Sequence, residues 1–212
     1  MSVTYDEVLR WIQSFQAIAA ENKEYLTKLD AAIGDADHGI NMDRGMKAVV
    51  AKIDGHPSGD IGGLLKTVGM ALVSSVGGAA GPLYGTLFIQ LGAALGGKSE
   101  MDLSDWTAAV ETGVKGLQMR GKAELEDKTM IDAWIPARDA LQAAAVDGLG
   151  LTEALERSAA AAEQGMTATI PLVARKGRAS YLGERSAGHQ DPGATSTYLL
   201  LRCAADTWNT QQ

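Results

Sequence analysis

Cysteine and aromatic residues are scarce in this chain of 212 residues. There is one cysteine, Cys203, and aromatic residues make up 5% of the sequence. A single cysteine excludes an internal disulfide and is typical of a reducing compartment. Residues 1–7 also lack a charged region followed by an apolar core, which is the pattern of a secretory signal. We therefore expect a cytoplasmic protein.

Basic residues are fewer than acidic ones: the chain has 19 Lys and Arg and 26 Asp and Glu, which gives a formal net charge of -7. No long basic stripe is present, so a nucleic-acid partner is not expected. One uncharged stretch, residues 67–97, is long enough to span a bilayer. The glycine-rich turn Gly77–Pro82 interrupts it. We predict two buried helices there and no membrane span.

The apolar residues that are present recur at the spacing of amphipathic helices. The hydrophobic 46% of the chain is carried mainly by Ala, Leu, Val and Met, which favours helix, and sustained strand-like alternation is absent. The expected fold is all-α, an eight-helix up-and-down antiparallel barrel or bundle in one domain over residues 1–212. The helices are expected near Val8–Leu29, Met42–Ile53, Ile61–Val76, Leu83–Leu95, Leu103–Leu117, Met130–Leu141, Leu151–Ile170 and Thr195–Trp208.

Alternate connections of such a bundle lie at the same end. The four connections that follow odd-numbered helices carry most of the chain's conspicuous chemistry. They are an acidic loop between the first two helices, the turn Gly77–Pro82, the segment Gly121–Lys128, and the long segment Arg175–Gly193. We therefore expect one functional site at that end of the bundle.

The acidic loop places Asp30, Asp35 and Asp37 within eight residues, beside Gly34 and other loop residues. Three carboxylates so close repel each other unless a cation lies among them. A few carboxylates with open positions suit Mg²⁺, whereas the glycine and closing glutamate of a calcium-binding loop are missing here. The alternative is a polar turn that caps a helix at Asp37 or Asn41.

Two other connections have features typical of phosphate binding. Gly77, Gly78 and Gly81 allow an anion to approach the backbone at the start of a helix. The segment Arg175–Gly193 contains arginines such as Arg178 that can pair with phosphate oxygens. Together with a Mg²⁺ loop, these features predict a nucleoside polyphosphate site.

A competing motif lies at Gly92–Ser99, which matches the P-loop pattern letter for letter. A functional P-loop follows a strand and opens a helix, but this stretch follows a helical apolar segment. Gly96 and Gly97 also suit a helix end, with Lys98 beside it. We therefore predict that the match is accidental.

Several stretches resemble the nucleotide-binding L subunit of dihydroxyacetone kinase of the phosphotransferase-system-dependent type, and the similarity covers essentially the whole chain. They are Gly34–Gly39, Ser75–Ala79, Gly121–Ala123 with Lys128–Met130, and Ala174–Gly193. The resemblance implies an eight-helix barrel that holds ADP or ATP through two Mg²⁺ ions, with metal ligands at Asp30, Asp35 and Asp37. It also implies nucleotide contacts at His38, Asn41, Gly78, Ala79, Gly121, Met130, Arg178, Asp191, Pro192 and Gly193. Ala80 stands where the family often has Ser, so one hydroxyl contact to phosphate would be missing.

The same resemblance implies partners and a reaction. In this family dihydroxyacetone is bound to a histidine of a separate K subunit, and a phosphohistidine protein of the phosphotransferase system rephosphorylates the bound ADP. Arg178 is expected to be catalytic, by stabilising charge on the transferred phosphoryl group. A homodimer and a transcriptional regulator stay open as further partners. Two alternatives also stay open: a kinase subunit that consumes ATP to phosphorylate a related short ketose, and a nucleotide-binding regulatory module without turnover.

Overall fold

The computed structural model describes residues 2–55 and 59–209, and this part of the chain is almost entirely helical. Two short strands, β1 (Val3–Thr4) and β2 (Glu100–Met101), pair antiparallel. The nine α-helices of the described residues are α1 (Tyr5–Glu21), α2 (Lys23–Ile33), α3 (His38–Ile53), α4 (Ile61–Ser75), α5 (Ala80–Ala94), α6 (Leu103–Gly121), α7 (Ile131–Val146), α8 (Leu151–Ala168) and α9 (Pro192–Trp208). A 3-10 helix, Arg178–Ser186, precedes α9. The predicted all-α class is confirmed.

The first predicted helix is divided into two at Asn22. The backbone N–H and the side-chain Nδ2 of Asn22 both donate to the carbonyl of Ile18, at 3.0 and 2.9 Å. An asparagine side chain that bonds its own helix in this way competes with the regular ladder and favours a helix end. The apolar stripe nevertheless continues from α1 into α2, so the two together take the place of the single predicted helix.

The helices form a closed ring in which each packs against its neighbour in the chain. From α3 to α9 the contacts run in sequence, and α9 and α3 both pack against α1. The core between them contains an aromatic cluster of Trp11, Phe88, Trp106 and Trp208, with Trp208 centred 5.1 Å from both Trp11 and Trp106. Because α6 begins and α9 ends beside it, this cluster fills the end of the ring opposite the connections that carry the candidate site.

Helices α4 and α5 approach each other closely through glycines. A Cβ placed on Gly69 would lie 2.7 Å from the carbonyl oxygen of Gly85, so neither position has room for a side chain. This contact fixes the direction in which the turn between the two helices points. The uncharged stretch 67–97 thus forms two packed helices, as predicted. No helix within residues 2–55 and 59–209 is long and apolar enough to cross a membrane.

Candidate functional site

Four connections meet around a cavity of about 190 Å³ at one end of the ring. They are the α2–α3, α4–α5, α6–α7 and α8–α9 connections, and the predicted convergence is therefore confirmed. Of the predicted site residues, all except Gly121 line this cavity. Those that do are Asp30, Asp35, Asp37, His38, Asn41, Gly78, Ala79, Met130, Arg178, Asp191, Pro192 and Gly193.

The acidic loop brings its three carboxylates together. One oxygen from each of Asp30, Asp35 and Asp37 lies within 4.8 Å of the others. Asp30, in the last turn of α2, is buried, and its Oδ2 accepts from the backbone N–H groups of Asp37 and His38 at 2.8 and 3.1 Å. A Cβ on Gly34 would collide with the Asp30 carboxylate, so a glycine is required there. This hard-oxygen donor set fits Mg²⁺.

The capping-turn alternative is only partly realised. Asp37 is the N-cap residue of α3, but its side chain makes no capping hydrogen bond. The Asp30 carboxylate, seven residues earlier, takes that role by accepting the first N–H groups of α3. The side chain of Asp37 is therefore available as a cation ligand, and Asp35 projects further toward solvent, where its Oδ2 lies 2.9 Å from Arg178 Nε.

The α4–α5 turn presents a helix start with no side-chain cap. Ala79 precedes α5, and Gly78 has a φ of 64°, a left-handed conformation that favours glycine. A Cβ on Gly78 would meet nothing within 4 Å, so the backbone there is open to an approaching group. The unpaired N–H groups at the start of α5 and the helix dipole together favour an anion.

His38 is tied to α5 and α9 through a chain of polar contacts. Its Nε2 lies 2.9 Å from Ser196 Oγ, which in turn lies 2.7 Å from the Tyr84 hydroxyl and donates to the Gly193 carbonyl. Burial lowers the pKa of His38, although Asp30 and Asp37 oppose the shift, and burial raises the pKa of Tyr84 to about 12. The network therefore holds a neutral imidazole and a protonated phenol beside the acidic loop.

Lys128 organises the other side of the cavity. Its side chain is fully buried, and Nζ donates to the carbonyls of Thr169, Ile170 and Leu172 at 2.7, 3.3 and 3.1 Å and to that of His189. Burial lowers the pKa of its ammonium group, while Asp191 and Asp132 favour the charged form. One cation thus joins the α6–α7 connection to both ends of the α8–α9 connection.

Asp191 begins α9 at the bottom of the cavity. Its Oδ2 accepts from the Ala194 N–H at 2.7 Å, which is a standard N-cap contact, and Pro192 occupies the first helical position. The sequence predicted that this helix begins at Thr195. The Asp191 cap and Pro192 explain why it begins three residues earlier, at Pro192. Burial raises the pKa of the Asp191 carboxyl to about 7, although the Ala194 N–H and Lys128 oppose the shift.

The raised pKa of Asp191 predicts a pH dependence of stability. The unfolded chain releases the Asp191 proton near pH 4, whereas the folded chain keeps it until about pH 7. The stabilisation that the folded state gains from binding this proton is therefore complete below about pH 4 and is lost as the pH rises from 4 to 7. Relative to an Asp191→Asn variant, wild-type stability should fall by up to about 1.4 kcal/mol per pH unit across this range and then level off. Urea denaturation of both proteins, without nucleotide, measures this. A constant difference between them would contradict it.

Gly121 lies in a second cavity of about 260 Å³ next to the first. This cavity has a mainly apolar lining that includes Leu117 and Ile131. Six residues line both cavities: Ala79, Leu83, Thr129, Met130, Lys176 and Gly177. The predicted site is therefore divided between a polar compartment with the acidic loop and an apolar compartment with Gly121. Tyr84 and Ser196 were not predicted, because neither lies in a local sequence pattern. Lys128, Thr129 and Lys176 lie in stretches that carry the resemblance, but no role was predicted for them as individual site residues.

The P-loop match lies at the other end of the ring. A helix and not a strand leads into it, because Gly92 belongs to α5 and Gly97 ends the turn after that helix with a φ of 75°. Lys98 pairs with Asp105 at 2.9 Å, and its carbonyl accepts from the Ile61 N–H. Its side chain therefore serves a structural contact, about 20 Å along α5 from the cavity.

We accordingly expect Lys98→Ala to leave nucleotide affinity within about threefold of the wild-type value, since its ammonium group pairs with Asp105 at the far end. Isothermal titration with ADP and Mg²⁺ measures the effect. A hundredfold loss would mean that this stretch does bind phosphate.

A family model described as the DAK2 domain matches residues 32–206. The ADP-binding subunit DhaL of the PEP-dependent dihydroxyacetone kinase of Escherichia coli is 45% identical over 205 residues, which are 97% of this chain and 98% of that subunit. The corresponding subunit of dihydroxyacetone kinase 1 of Listeria innocua is 42% identical, with 97% and 98% covered.

A solved structure has the same fold. The dihydroxyacetone kinase from C. freundii in complex with AMP-PNP and Mg²⁺ aligns with a TM-score of 0.72 at 23% identity, over 97% of this chain and 34% of that one. The fold and the family model together define a DAK2-domain protein. Its near full-length identity to the curated subunits shows that the chain belongs to the family of ADP-binding subunits of PEP-dependent dihydroxyacetone kinase.

Proposed function

We propose that this chain is the nucleotide-binding subunit of a dihydroxyacetone kinase, which carries ADP or ATP with two Mg²⁺ ions and transfers the terminal phosphoryl group to dihydroxyacetone. The observation that carries the proposal is the placement of three carboxylates within 4.8 Å of one another beside an uncapped helix start, in one cavity. The names of the relatives, which are ADP-binding subunits, support the choice of nucleotide.

The two cavities suggest how the nucleotide lies. In this proposal Asp30, Asp35 and Asp37 hold the metal ions, and the N–H groups at Gly78 and Ala79 contact the phosphates. The apolar compartment at Gly121 and Met130 then receives the base, because it adjoins the phosphate side and its lining can pack against the faces of a flat aromatic ring. The buried Asp191 and Pro192 and the half-buried Gly193 line the compartment that contains the acidic loop.

Bound Mg²⁺ would neutralise charge on the phosphates as the phosphoryl group leaves. The chain's own contribution is to orient that group and to exclude water. We assign the catalytic role to Arg178, and two observations support this: its side chain is 66% exposed, and its Nε lies beside the Asp35 carboxylate. From there its guanidinium group can contact a phosphoryl group that is passing to an acceptor outside the ring.

The rim of the cavity also has features of a docking surface. Most of the large apolar side chains exposed in the described part of the chain lie at this end of the ring, and they are Tyr25, Ile40, Met70, Val73, Met119, Leu125 and Tyr181. Large apolar side chains exposed at one end of a molecule are typical of a protein–protein contact. We assign this face to a K subunit that holds dihydroxyacetone and, in alternation, to a phosphohistidine donor. A homodimer and a transcriptional regulator remain predictions.

Native mass spectrometry of the purified chain tests the proposal. A retained mass equal to ADP plus two Mg²⁺, with turnover on addition of a K subunit and a phosphohistidine donor but not of free ATP, is the expected result. Turnover that consumes free ATP would instead favour the ATP-dependent alternative. Nucleotide binding without transfer to any short ketose would favour the regulatory module.

Arg178→Ala should reduce phosphoryl transfer more than ADP binding, because the guanidinium group meets charge that develops mainly in the transition state. We expect a loss of about a hundredfold in turnover and less than about fivefold in ADP affinity. Arg185→Ala is the matched control, since this exposed arginine lies in the same 3-10 helix but does not line the cavity. Equal losses in binding and transfer would make Arg178 a ground-state binding residue.

A further inference from the structure

Arg44 is an exposed residue on α3 that contacts two elements of the site without being one of the residues assigned above. Its Nη2 donates to Asn41 Oδ1 at 2.7 Å, and its Nε donates to the carbonyl of Ser75 at 3.1 Å. Asn41 lies one turn earlier on α3, is buried, and lines the cavity. Ser75 is the last residue of α4, directly before the glycine turn. One guanidinium group therefore joins the acidic loop's helix to the phosphate turn.

The chemistry of arginine decides how the Asn41 amide is oriented. A guanidinium group has only donors, so the amide atom that faces Arg44 must be the oxygen. The NH₂ group of Asn41 is then the part of the amide that remains for the cavity. This orientation matters for an anionic ligand, because the NH₂ group donates to a phosphate oxygen whereas the amide oxygen would repel it.

The glycine turn passes close to both the Asn41 amide and the Arg44 guanidinium group. A Cβ on Gly77 would lie 3.1 Å from Asn41 Oδ1, 3.2 Å from its Nδ2 and 3.3 Å from Arg44 Nη2. The amide, the guanidinium group and the glycine turn are thus packed together at a position where any side chain would crowd them. Without Arg44, no guanidinium donor would hold Oδ1 of Asn41 on this side, and the amide could place either its oxygen or its NH₂ group toward the cavity.

We propose that Arg44 is a positioning residue, which acts on the phosphates of the nucleotide through Asn41 by holding its NH₂ group toward them. The inference rests on the proposed nucleotide-binding function and adds a residue that recognises the polyphosphate part of the ligand indirectly. Because Arg44 is exposed and contributes nothing to the apolar core, its replacement should affect ligand recognition much more than folding.

A double-mutant cycle tests this. Arg44→Met should weaken binding of ADP with Mg²⁺ by about ten- to hundredfold, the effect of a lost hydrogen bond to a charged group. Binding of adenosine, which has no phosphate, should change by less than about twofold. In an Asn41→Ala background the same replacement should cause no further loss of ADP affinity. Arg44→Lys should recover part of the affinity, because one donor can still reach the amide oxygen.

The outcomes separate the two proposals. If the wild-type chain does not bind ADP with Mg²⁺, the proposed function itself fails. If it binds ADP but the losses from Arg44→Met and Asn41→Ala are additive, Arg44 does not act through Asn41 and the inference is overturned. Equal weakening of ADP and adenosine would also overturn it, because that pattern indicates a general disturbance of the site. Urea denaturation of Arg44→Met should give a midpoint close to that of the wild type.

Discussion

Asp37→Asn and Asp30→Asn should each reduce Mg²⁺-dependent retention of ADP by about a hundredfold or more while the helical fold persists. Each replacement removes one of the three carboxylates of the acidic loop that can hold the metal. The fold should tolerate both. Asp37 makes no capping bond with its side chain, and an asparagine at position 30 keeps an oxygen that can accept the N–H groups of Asp37 and His38.

Two measurements on the same samples decide this prediction. Isothermal titration gives the ADP affinity with and without Mg²⁺, and circular dichroism at 222 nm reports the helices. Asp139→Asn is the control, because this aspartate is exposed on α7, pairs with Arg138 and lies away from the cavity. Unchanged ADP retention in both test variants would show that the acidic loop is not the metal site.

Lys128→Met should destabilise the chain by about 3 kcal/mol or more, the largest effect on stability that we expect from a polar residue. The replacement leaves the carbonyls of Thr169, Leu172 and His189 without their buried donor. It also removes the cation that favours the ionised form of the buried Asp191. Because these groups position the whole α8–α9 connection, ADP affinity should fall together with stability.

Urea denaturation measures this change, and the chain contains a closely matched control. Lys122 lies six residues earlier in the same connection and also has a left-handed backbone, with a φ of 50° against 62° for Lys128, but its side chain is exposed. Lys122→Met should change the stability by no more than about 0.5 kcal/mol. If the two variants are equally stable, the carbonyl contacts of Lys128 contribute little to the fold.

Much of the fold could be predicted because helical spacing is a local property. The stripes of apolar residues predicted the helices to within a few residues, and failed mainly where a single polar side chain ends a helix, as at Asn22. The start of α5 was predicted three residues late, since Ala80 and Gly81 carry no apolar periodicity. The accidental P-loop match could be rejected because its required neighbours are also local.

Contacts between residues far apart in the chain could not be predicted in this way. Asp30 caps α3, a role that its acidic surroundings obscured, and Lys128 binds carbonyls 41 to 61 residues away. His38 is bonded to Ser196 across 158 positions. No spacing rule connects such pairs, because they meet only after the ring of helices has closed.

The sequence by itself determined which end of the molecule carries the site. Alternating helices place the acidic loop, the glycine turn and the Arg175–Gly193 segment at one end, whatever the details of their packing. The tertiary structure decided how these parts are divided and held. Gly121 lies in a separate apolar compartment, Arg44 orients Asn41, and one buried ammonium group joins two connections, because each depends on distances that packing sets and chain order does not.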